Sequence, residues 1–160
     1  MGEYIMDLRK IVGHRPLIQC AASVIVENDA GEVLLGRRTD NRLWGYAGGA
    51  VELDETVEEC AVRELFEETG VIADELVFFT VNSGPRAHYV YPNGDEVYNF
   101  EIVYRCRKWH GTPTPQPEEV EALGFFAPDA IPLDQFSPPI RPVWEKYLSA
   151  RAVEADSNCS

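Results

Sequence analysis

Residues 49–71 read GAVELDETVEECAVRELFEETGV, and this stretch sets the expectations for the rest of the chain. Thr56 followed three residues later by Glu59 is the pattern of a capping box, which predicts the start of a helix. Gly70 suits the position just after a helix end, where glycine adopts a left-handed conformation without strain. The stretch therefore predicts a helix that begins after Thr56 and ends before Gly70.

Three glutamates of this helix, Glu64, Glu67 and Glu68, stand at positions i, i+3 and i+4. At 3.6 residues per turn they fall within about a 100° arc, so their carboxylates share one face. Alone, such a trio is typical of a solvated acidic surface, although like charges this close repel one another by roughly 0.2–0.5 kcal/mol per pair. A bound divalent cation would explain the grouping, and oxygen ligands favour Mg²⁺ or Mn²⁺ over zinc.

The other side of the helix is apolar. Val62, Leu65 and Phe66 lie roughly opposite the carboxylate arc, and we expect them to pack inward. Before the helix, Gly48 and Gly49 permit close approach of the backbone to a ligand or ion. The order of glycine loop, helix and acidic cluster therefore indicates an ion-binding element.

These features together resemble the signature of the Nudix hydrolase family: Gly, five residues, Glu, seven residues, Arg-Glu-aliphatic-any-Glu-Glu-any-Gly-aliphatic. Every fixed position is filled, by Gly49, Glu55, Arg63, Glu64, Leu65, Glu67, Glu68, Gly70 and Val71. A match of this length is far more specific than a lone glycine motif. The chain departs from the family at Ala47, where a proline commonly precedes the two glycines.

Strand-like runs flank this Nudix box. Apolar or alternating segments predict strands at residues 17–27, 32–38, 75–81, 87–91, 96–105 and 122–126. The turn sequence at 28–31 predicts a hairpin between the first two strands, and Asn93-Gly94 is a strong signal for a second hairpin. Several strands around one box helix, closed by a C-terminal helix at 141–148, suggest an α/β/α sandwich.

The resemblance implies the same architecture, an α/β Nudix fold with an α/β/α sandwich around a mixed β-sheet. We expect this domain to occupy residues 17–150. Residues 1–16 are expected to form an N-terminal arm or helix, which either pads the core or contacts a second subunit of a homodimer. Residues 151–160 are polar and are predicted to form a disordered tail.

The resemblance also implies metal ligands and catalytic groups. The backbone carbonyl of Gly48 and the carboxylates of Glu64, Glu67 and Glu68 would hold the metal. Arg63 would orient a carboxylate through a bidentate contact. One box carboxylate, Glu67 or Glu68, would take the proton from the attacking water, unless a glutamate outside the box does so.

That further glutamate is expected in the segment before the strand at 122–126. Nudix enzymes often supply a carboxylate from this region to complete the metal site or to act as general base. Glu119 is the best match by its distance ahead of Phe125-Phe126, and Glu118 is the next.

Two kinds of residue are candidates for substrate binding. Arg37 and Arg38 end the second predicted strand near the glycine loop, where they either contact substrate phosphates or neutralise nearby glutamates. Tyr89, in the later hairpin, either stacks on a base or packs on the sheet face.

The chain has 160 residues, with 27 acidic residues against 14 basic ones and a formal charge of −13. This surface repels nucleic-acid backbones, so we expect no nucleic-acid partner. An anionic small-molecule substrate would need bound cations to offset the repulsion. No apolar run could span a membrane and no signal-peptide core is present, so we expect a cytoplasmic protein.

The expected activity is metal-dependent hydrolysis of the diphosphate linkage in a nucleoside diphosphate linked to another group. In the family, a proline at about the distance of Pro85 beyond the box is associated with ADP-ribose hydrolases, and a tyrosine near Tyr89 with dinucleoside polyphosphate hydrolases. We lean to ADP-ribose or a related sugar nucleotide, with damaged nucleoside triphosphates as a third option. The alternative from another class is a non-catalytic Nudix module that binds a nucleotide as a sensor.

Overall fold

The computed structural model describes residues 2–159. The helices in this range are α1 (Glu3–Val12), α2 (Val57–Thr69) and α3 (Arg141–Asn158). The strands are β1 (Leu17–Val26), β2 (Val33–Arg38), β3 (Trp44–Gly45), β4 (Ala47–Ala50), β5 (Ile72–Asn82), β6 (His88–Val90), β7 (Glu96–His110) and β8 (Val120–Phe126). None of the helices within residues 2–159 combines the length and the apolar character needed to cross a membrane.

The strands form two sheets, the larger of which is mixed. β1 is parallel to β7 and antiparallel to β4, while β5 and β6 both pair antiparallel with β7. In this register Ala21 of β1 lies between Ala50 of β4 and Glu101 of β7. The smaller sheet is antiparallel, with the order β3–β2–β8. The predicted mixed sheet is therefore confirmed.

The first predicted hairpin is formed only at its turn. The Asn28 backbone N–H donates to the Glu32 carbonyl at 3.0 Å, and one bridge joins Glu27 to Val33. Beyond that bridge the two strands separate, because β1 is already flanked by β4 and β7 while β2 pairs with β3 and β8. The second predicted hairpin is confirmed, since β6 and β7 pair with Tyr89 opposite Val97.

Each face of the mixed sheet is covered by one helix. Successive side chains of a strand point to opposite faces, so Val24 packs with Leu65 of α2 while Ile25 packs with Trp144 and Tyr147 of α3. Complete burial of a side chain such as Leu65 contributes about 1.5–3 kcal/mol. Helix, sheet and helix stack in that order, which is the predicted α/β/α sandwich.

Helix α2 has the predicted ends. The Thr56 hydroxyl accepts from the Glu59 backbone N–H at 3.1 Å, and the Glu59 carboxylate accepts from the Thr56 N–H at 2.8 Å. At the other end Gly70 adopts a φ of 72°, and its N–H donates to the Phe66 carbonyl. Both ends of the helix are therefore set by residues that are close together in the sequence.

The inward face of α2 differs from the predicted one. Leu65 is buried as expected, but Phe66 is 52% exposed and Val62 is only half-buried. The buried stripe instead contains Cys60, Ala61 and Glu64. The expectation was wrong because it placed the buried face opposite the whole carboxylate arc, whereas Glu64 itself lies on the buried stripe.

Helix α1 packs on its own chain. The backbone N–H groups of Glu3 and Tyr4 donate to the Glu52 carboxylate at 2.7 and 3.1 Å, which ties the start of α1 to the box loop. Ile5 and Arg9 are buried, and the Arg9 guanidinium donates to backbone carbonyls that include that of Glu96 at 2.6 Å. α1 thus pads the core, and a homodimer contact stays a prediction.

The predicted disordered tail is wrong over residues 151–158, which continue α3; Ser160 lies outside the described residues. Glu154 accepts from Arg105 at 2.6 Å and from Arg107 at 3.2 Å. Arg151 donates to the Gly31 carbonyl at 2.9 Å. These contacts with distant segments hold the last turns of α3 in place, and composition alone does not reveal them.

Candidate active site

A cavity of about 290 Å³ lies beside β4 and the last turns of α2. Both sheets contribute to its wall, through Ser23 of β1 and Arg38 of β2 among others. Its acidic lining residues are Asp40, Glu64, Glu68, Glu101, Glu118 and Glu119. Arg38 is the one basic side chain among the described lining residues, so an anionic ligand would need a cation to offset repulsion here.

The glycine pair of β4 is required by close packing. A Cβ atom on Gly49 would overlap the carboxylate of Glu64. A Cβ atom on Gly48 would overlap the Ser23 side chain, which lies on the adjacent strand β1. The bare backbone of β4 therefore forms one wall of a narrow space in which Glu64 is held.

Glu64 and Glu68 are the box carboxylates that enter the cavity. Glu64 is only 7% exposed, and burial raises the pKa of its carboxyl, although Arg63 opposes the rise. Burial and the nearby charges of Glu64 and Glu119 raise the pKa of the Glu68 carboxyl well above its usual range, against the opposing charge of Arg38. The cavity thus gathers carboxylates whose mutual repulsion is only partly neutralised.

Arg63 holds two of the box glutamates in place. Its guanidinium donates to both oxygens of Glu55, at 2.6 and 3.0 Å, and to Glu64 at 2.8 Å. Further contacts reach Glu67 at 3.2 Å and the Ala50 carbonyl at 3.1 Å. These hydrogen bonds also hold the pKa of the Glu55 carboxyl below its usual range. Arg63 is therefore placed to orient Glu64, while Glu55 anchors the arginine.

Glu67 is separated from the other two. It is exposed, does not line the cavity, and makes its ion pair with Arg63. Within residues 2–159, no three Asp, Glu, His or Cys side chains are arranged as a ready metal site. The structure therefore brings Glu64 and Glu68 together with Glu119, and leaves Glu67 at the rim on the side of Arg63.

The donor set suits a hard cation. The acidic side chains gathered beside the glycine pair are carboxylates, and oxygen ligands of this kind are the ones that Mg²⁺ and Mn²⁺ prefer. The narrow space that Gly48 and Gly49 leave open brings β4 backbone close to Glu64. Burial together with the nearby charges of Glu64 and Glu119 raises the pKa of the Glu68 carboxyl, and a bound cation would favour its ionised form.

The two candidate arginines lie on opposite sides of β2. Arg38 lines the cavity and donates to both oxygens of Asp40, at 2.9 and 2.7 Å. Arg37 does not line it; its guanidinium pairs with Glu121 at 2.6 Å and lies over the Trp44 ring. Arg38 is thus available to a phosphate group, whereas Arg37 fits the alternative of neutralising a glutamate.

Tyr89 lines the cavity on the side of β6. Its hydroxyl accepts a hydrogen bond from the Asn41 amide at 3.0 Å, and its ring meets that of Tyr91 edge-on, with 4.9 Å between centroids. Tyr91 lines the cavity as well. An aromatic pair therefore forms one wall, in a position suited to packing against a flat ligand group.

Glu119 and Glu118 both reach the cavity from the segment before β8. The backbone of this segment is fixed, because the Glu119 N–H donates to the Gln116 carbonyl and the Thr39 N–H donates to the Glu119 carbonyl, both at 3.0 Å. The placement of Glu119 near Glu68 agrees with the position expected of a further carboxylate.

Sequence reasoning missed the polar side chains on the central strands. Gln19, Ser23, Asn99 and Glu101 line the cavity from β1 and β7. The available signal was a pair of polar residues on one face of each strand, four positions apart in β1 and two apart in β7. Asp40, the partner of Arg38, was also missed.

The comparison with known families agrees with the geometry. The family model described as the NUDIX domain matches residues 18–147. The chain therefore belongs to the Nudix family and is a hydrolase of pyrophosphate bonds, as the box indicates.

Individual relatives support the assignment. A MutT-like protein from Streptomyces ambofaciens is 33% identical over 120 residues, which is 72% of this chain and 68% of that protein. The CTP pyrophosphohydrolase of Escherichia coli is 31% identical over 134 residues, 81% of this chain and 91% of that protein. Several RNA pyrophosphohydrolases from Pseudomonas match over a shorter stretch, which is 43% of their length.

A solved structure shows the same fold. The MutT NUDIX hydrolase from Burkholderia pseudomallei superposes with a TM-score of 0.66 at 28% identity, covering 82% of this chain and 97% of that one. The match covers most of both chains, so it concerns the domain as a whole.

Proposed function

We propose that the protein is a Mg²⁺- or Mn²⁺-dependent hydrolase that cleaves the diphosphate linkage of a nucleoside diphosphate joined to another group. The observation that carries this proposal is the convergence of Glu64, Glu68 and Glu119 on one cavity beside Gly48 and Gly49. The family match and the names of the relatives support it.

Glu64 and Glu68 would hold the cation, together with the backbone carbonyl of Gly48. Glu67 would join them only by leaving its contact with Arg63. When bound, the cation would activate water and stabilise charge on the phosphate oxygens. Glu64 and Glu68 are suited to this role because each already lies within the cavity wall.

The other residues of the site bind, orient and move a proton. Arg63 keeps Glu64 fixed through a short hydrogen bond, which preserves the ligand geometry between turnovers. Arg38, held by Asp40, contacts a substrate phosphate with its guanidinium. Glu119 accepts the proton of the attacking water, because it lines the same cavity as Glu64 and Glu68.

The substrate class follows from the cavity and the relatives. A cavity of about 290 Å³ lies just below the usual range of ~300–1,000 Å³ for small-molecule sites. This volume favours one nucleoside over the two of a dinucleoside polyphosphate. Pro85 opens a short 3₁₀ turn and does not line the cavity, so the association with ADP-ribose gains no support from its position. We infer that a nucleoside triphosphate is the better candidate, in line with the CTP pyrophosphohydrolase relative.

The experiment is product analysis with a panel of nucleotides in the presence of Mg²⁺. The panel contains normal and oxidised nucleoside triphosphates, ADP-ribose, sugar nucleotides and dinucleoside polyphosphates. We expect release of a nucleoside monophosphate and pyrophosphate from at least one triphosphate. Binding without turnover across the whole panel would instead favour the sensor alternative.

A further inference from the structure

The sheet face that carries α2 extends beyond the area that the helix covers. α2 packs over the β1 and β7 side chains from Ala22 and Ile102 onward. Earlier in both strands, and on β5, apolar side chains that point to the same side are exposed. We call this uncovered area the apolar sheet patch and define it as Ile18 and Cys20 of β1, Tyr98 and Phe100 of β7, and Phe78 and Val81 of β5.

Strand pairing makes the patch continuous. The neighbouring pairs across its strands are Ile18 with Tyr98 and Cys20 with Phe100 in the parallel pairing, then Val81 with Ile102 and Phe78 with Tyr104 in the antiparallel one. The exposed fraction of its five large side chains ranges from 41% for Tyr98 to 81% for Ile18. Three adjacent strands therefore present one apolar surface to solvent.

The patch is large for a surface that stays in water. A whole aromatic side chain presents ~150–250 Å², so the three aromatic residues and their three smaller neighbours together expose roughly 500 Å². The largest apolar patch of a typical monomer is ~300–600 Å² and often serves a function. Two such patches placed against each other would bury about 1,000 Å², the area that a specific interface must reach.

The charge distribution indicates what covers the patch. None of its six side chains is charged at neutral pH, and Glu96, two residues before Tyr98 on the same face, is paired with His88 at 2.7 Å. The whole chain has 27 acidic residues against 14 basic ones, so a basic partner would be attracted to the carboxylates elsewhere rather than to this neutral surface. Two copies of the chain, which repel each other through those carboxylates, can meet here without burying an unpaired charge.

We propose that the apolar sheet patch is the interface of a homodimer, in which two copies pack face to face about a two-fold axis. Such an interface uses the same residues of both copies, and two twisted sheets pack readily through their apolar faces. Gln19 and Asn99 alternate with the patch residues along β1 and β7 and line the cavity from the opposite face. The dimer therefore leaves the cavity accessible, and the inference does not depend on the proposed function.

The test is sedimentation velocity over a range of protein concentrations, with 18.0 kDa as the mass of the monomer. An interface at the small end of the usual size range is weak, so we expect a dissociation constant of about 10–100 µM. Added NaCl should tighten the dimer, because salt screens the repulsion between two acidic copies. A monomeric mass up to about 500 µM, well above that range, would overturn the proposal and leave the patch to a different protein. A dimer that salt weakens would also contradict it.

Variants locate the interface. Ile18→Glu brings a carboxylate from each copy to the buried surface and should raise the dissociation constant by at least about tenfold. Val153→Glu is the matched control, since it adds the same charge at an exposed apolar residue of α3, on the other side of the sheet. Ile18→Thr, which keeps a β-branched side chain, supplies the comparison if circular dichroism shows that Ile18→Glu is unfolded. An unchanged dissociation constant in the folded variant would overturn the assignment.

The cysteines provide a second readout in the wild-type chain. Cys20 lies in the patch and Cys159 near the end of the chain, and both are exposed, whereas Cys60 and Cys106 are buried. At a concentration ten times the dissociation constant, mass action leaves about one fifth of the chains monomeric. The initial rate of maleimide labelling, followed by peptide mapping, should then fall about fivefold at Cys20 and stay constant at Cys159. Equal labelling of Cys20 in monomer and dimer would contradict an interface at this patch.

Discussion

The carboxylate of Glu64 occupies the space that a Cβ atom on Gly49 would need. The glycine is therefore part of the site, because it allows a strand backbone and a helical carboxylate to approach within contact distance. Any larger residue must displace Glu64 from the cavity or push β4 away from α2.

Gly49→Ala should lower kcat by at least about 100-fold, because misplacing a catalytic group by about 1 Å costs a factor of about that size. The cause would be displacement of Glu64, which is measured as loss of turnover at saturating nucleotide and Mg²⁺. Gly124→Ala is the matched control, since a Cβ there lies 3.3 Å from the Phe126 ring and outside the cavity. Unchanged turnover in Gly49→Ala would mean that the position of Glu64 is unimportant.

Arg63→Lys should retain the fold and lose activity by about 10- to 100-fold, because a lysine cannot reproduce the contacts with Glu55 and Glu64 together. The measurement is the Mg²⁺ concentration for half-maximal rate, which should rise as Glu64 becomes less ordered. A fall in kcat with unchanged Mg²⁺ dependence would show that Arg63 contributes to activity by a route other than the ordering of Glu64. Arg107→Lys serves as a control of similar type, remote from the cavity.

Glu119→Gln should reduce kcat by about 10²-fold or more, the range of general acid–base catalysis. Glu118→Gln is the neighbouring control. A loss of less than about tenfold would assign the proton transfer to a box carboxylate instead.

A prediction about stability concerns Glu27, which is remote from the cavity. Burial tends to raise the pKa of its carboxyl, but hydrogen bonds from Arg105 and Arg107 outweigh this effect and lower it. The stabilisation from Glu27 is then complete above about pH 4.3, the pKa of an unfolded glutamate, and is lost as the pH falls through the lower folded pKa.

Glu27→Gln should therefore reduce the free energy of unfolding by about 3 kcal/mol at pH 7, since it leaves two arginines without their buried partner. Urea unfolding of both proteins at pH 7 and near pH 3 provides the measurement. The difference in the free energy of unfolding between the two proteins should shrink at the lower pH. A difference that stays constant would show that the carboxylate charge contributes nothing.

The sequence predicted the parts of the fold that depend on short-range pattern. The ends of α2 come from Thr56, Glu59 and Gly70, which are neighbours along the chain. The α/β/α sandwich and the Nudix box could also be predicted from the sequence, because a long motif constrains both the helix and the segments around it.

The remaining features depend on contacts between distant residues. The polar side chains on the central strands come together only because β1 pairs with β7, so that Ser23 meets Glu101 across 78 residues of sequence. Strand alternation shows that Arg37 and Arg38 face opposite sides, but only the pairing of β2 shows which side is the cavity. The last turns of α3 are held by Arg105 and Arg107 of β7, so residues 151–158 could not be assigned from composition.

The central claim, that a cation held by the box carboxylates performs the hydrolysis, is tested most directly by turnover of Glu68→Gln at saturating Mg²⁺. This variant keeps the size of the side chain and removes its charge, so the melting temperature should stay within a few degrees of the wild type. We predict a loss of at least about 1,000-fold in kcat, on the scale of losing one electrostatic stabiliser of the transition state. Turnover at the wild-type rate would contradict the account, because the cation would then be held without Glu68.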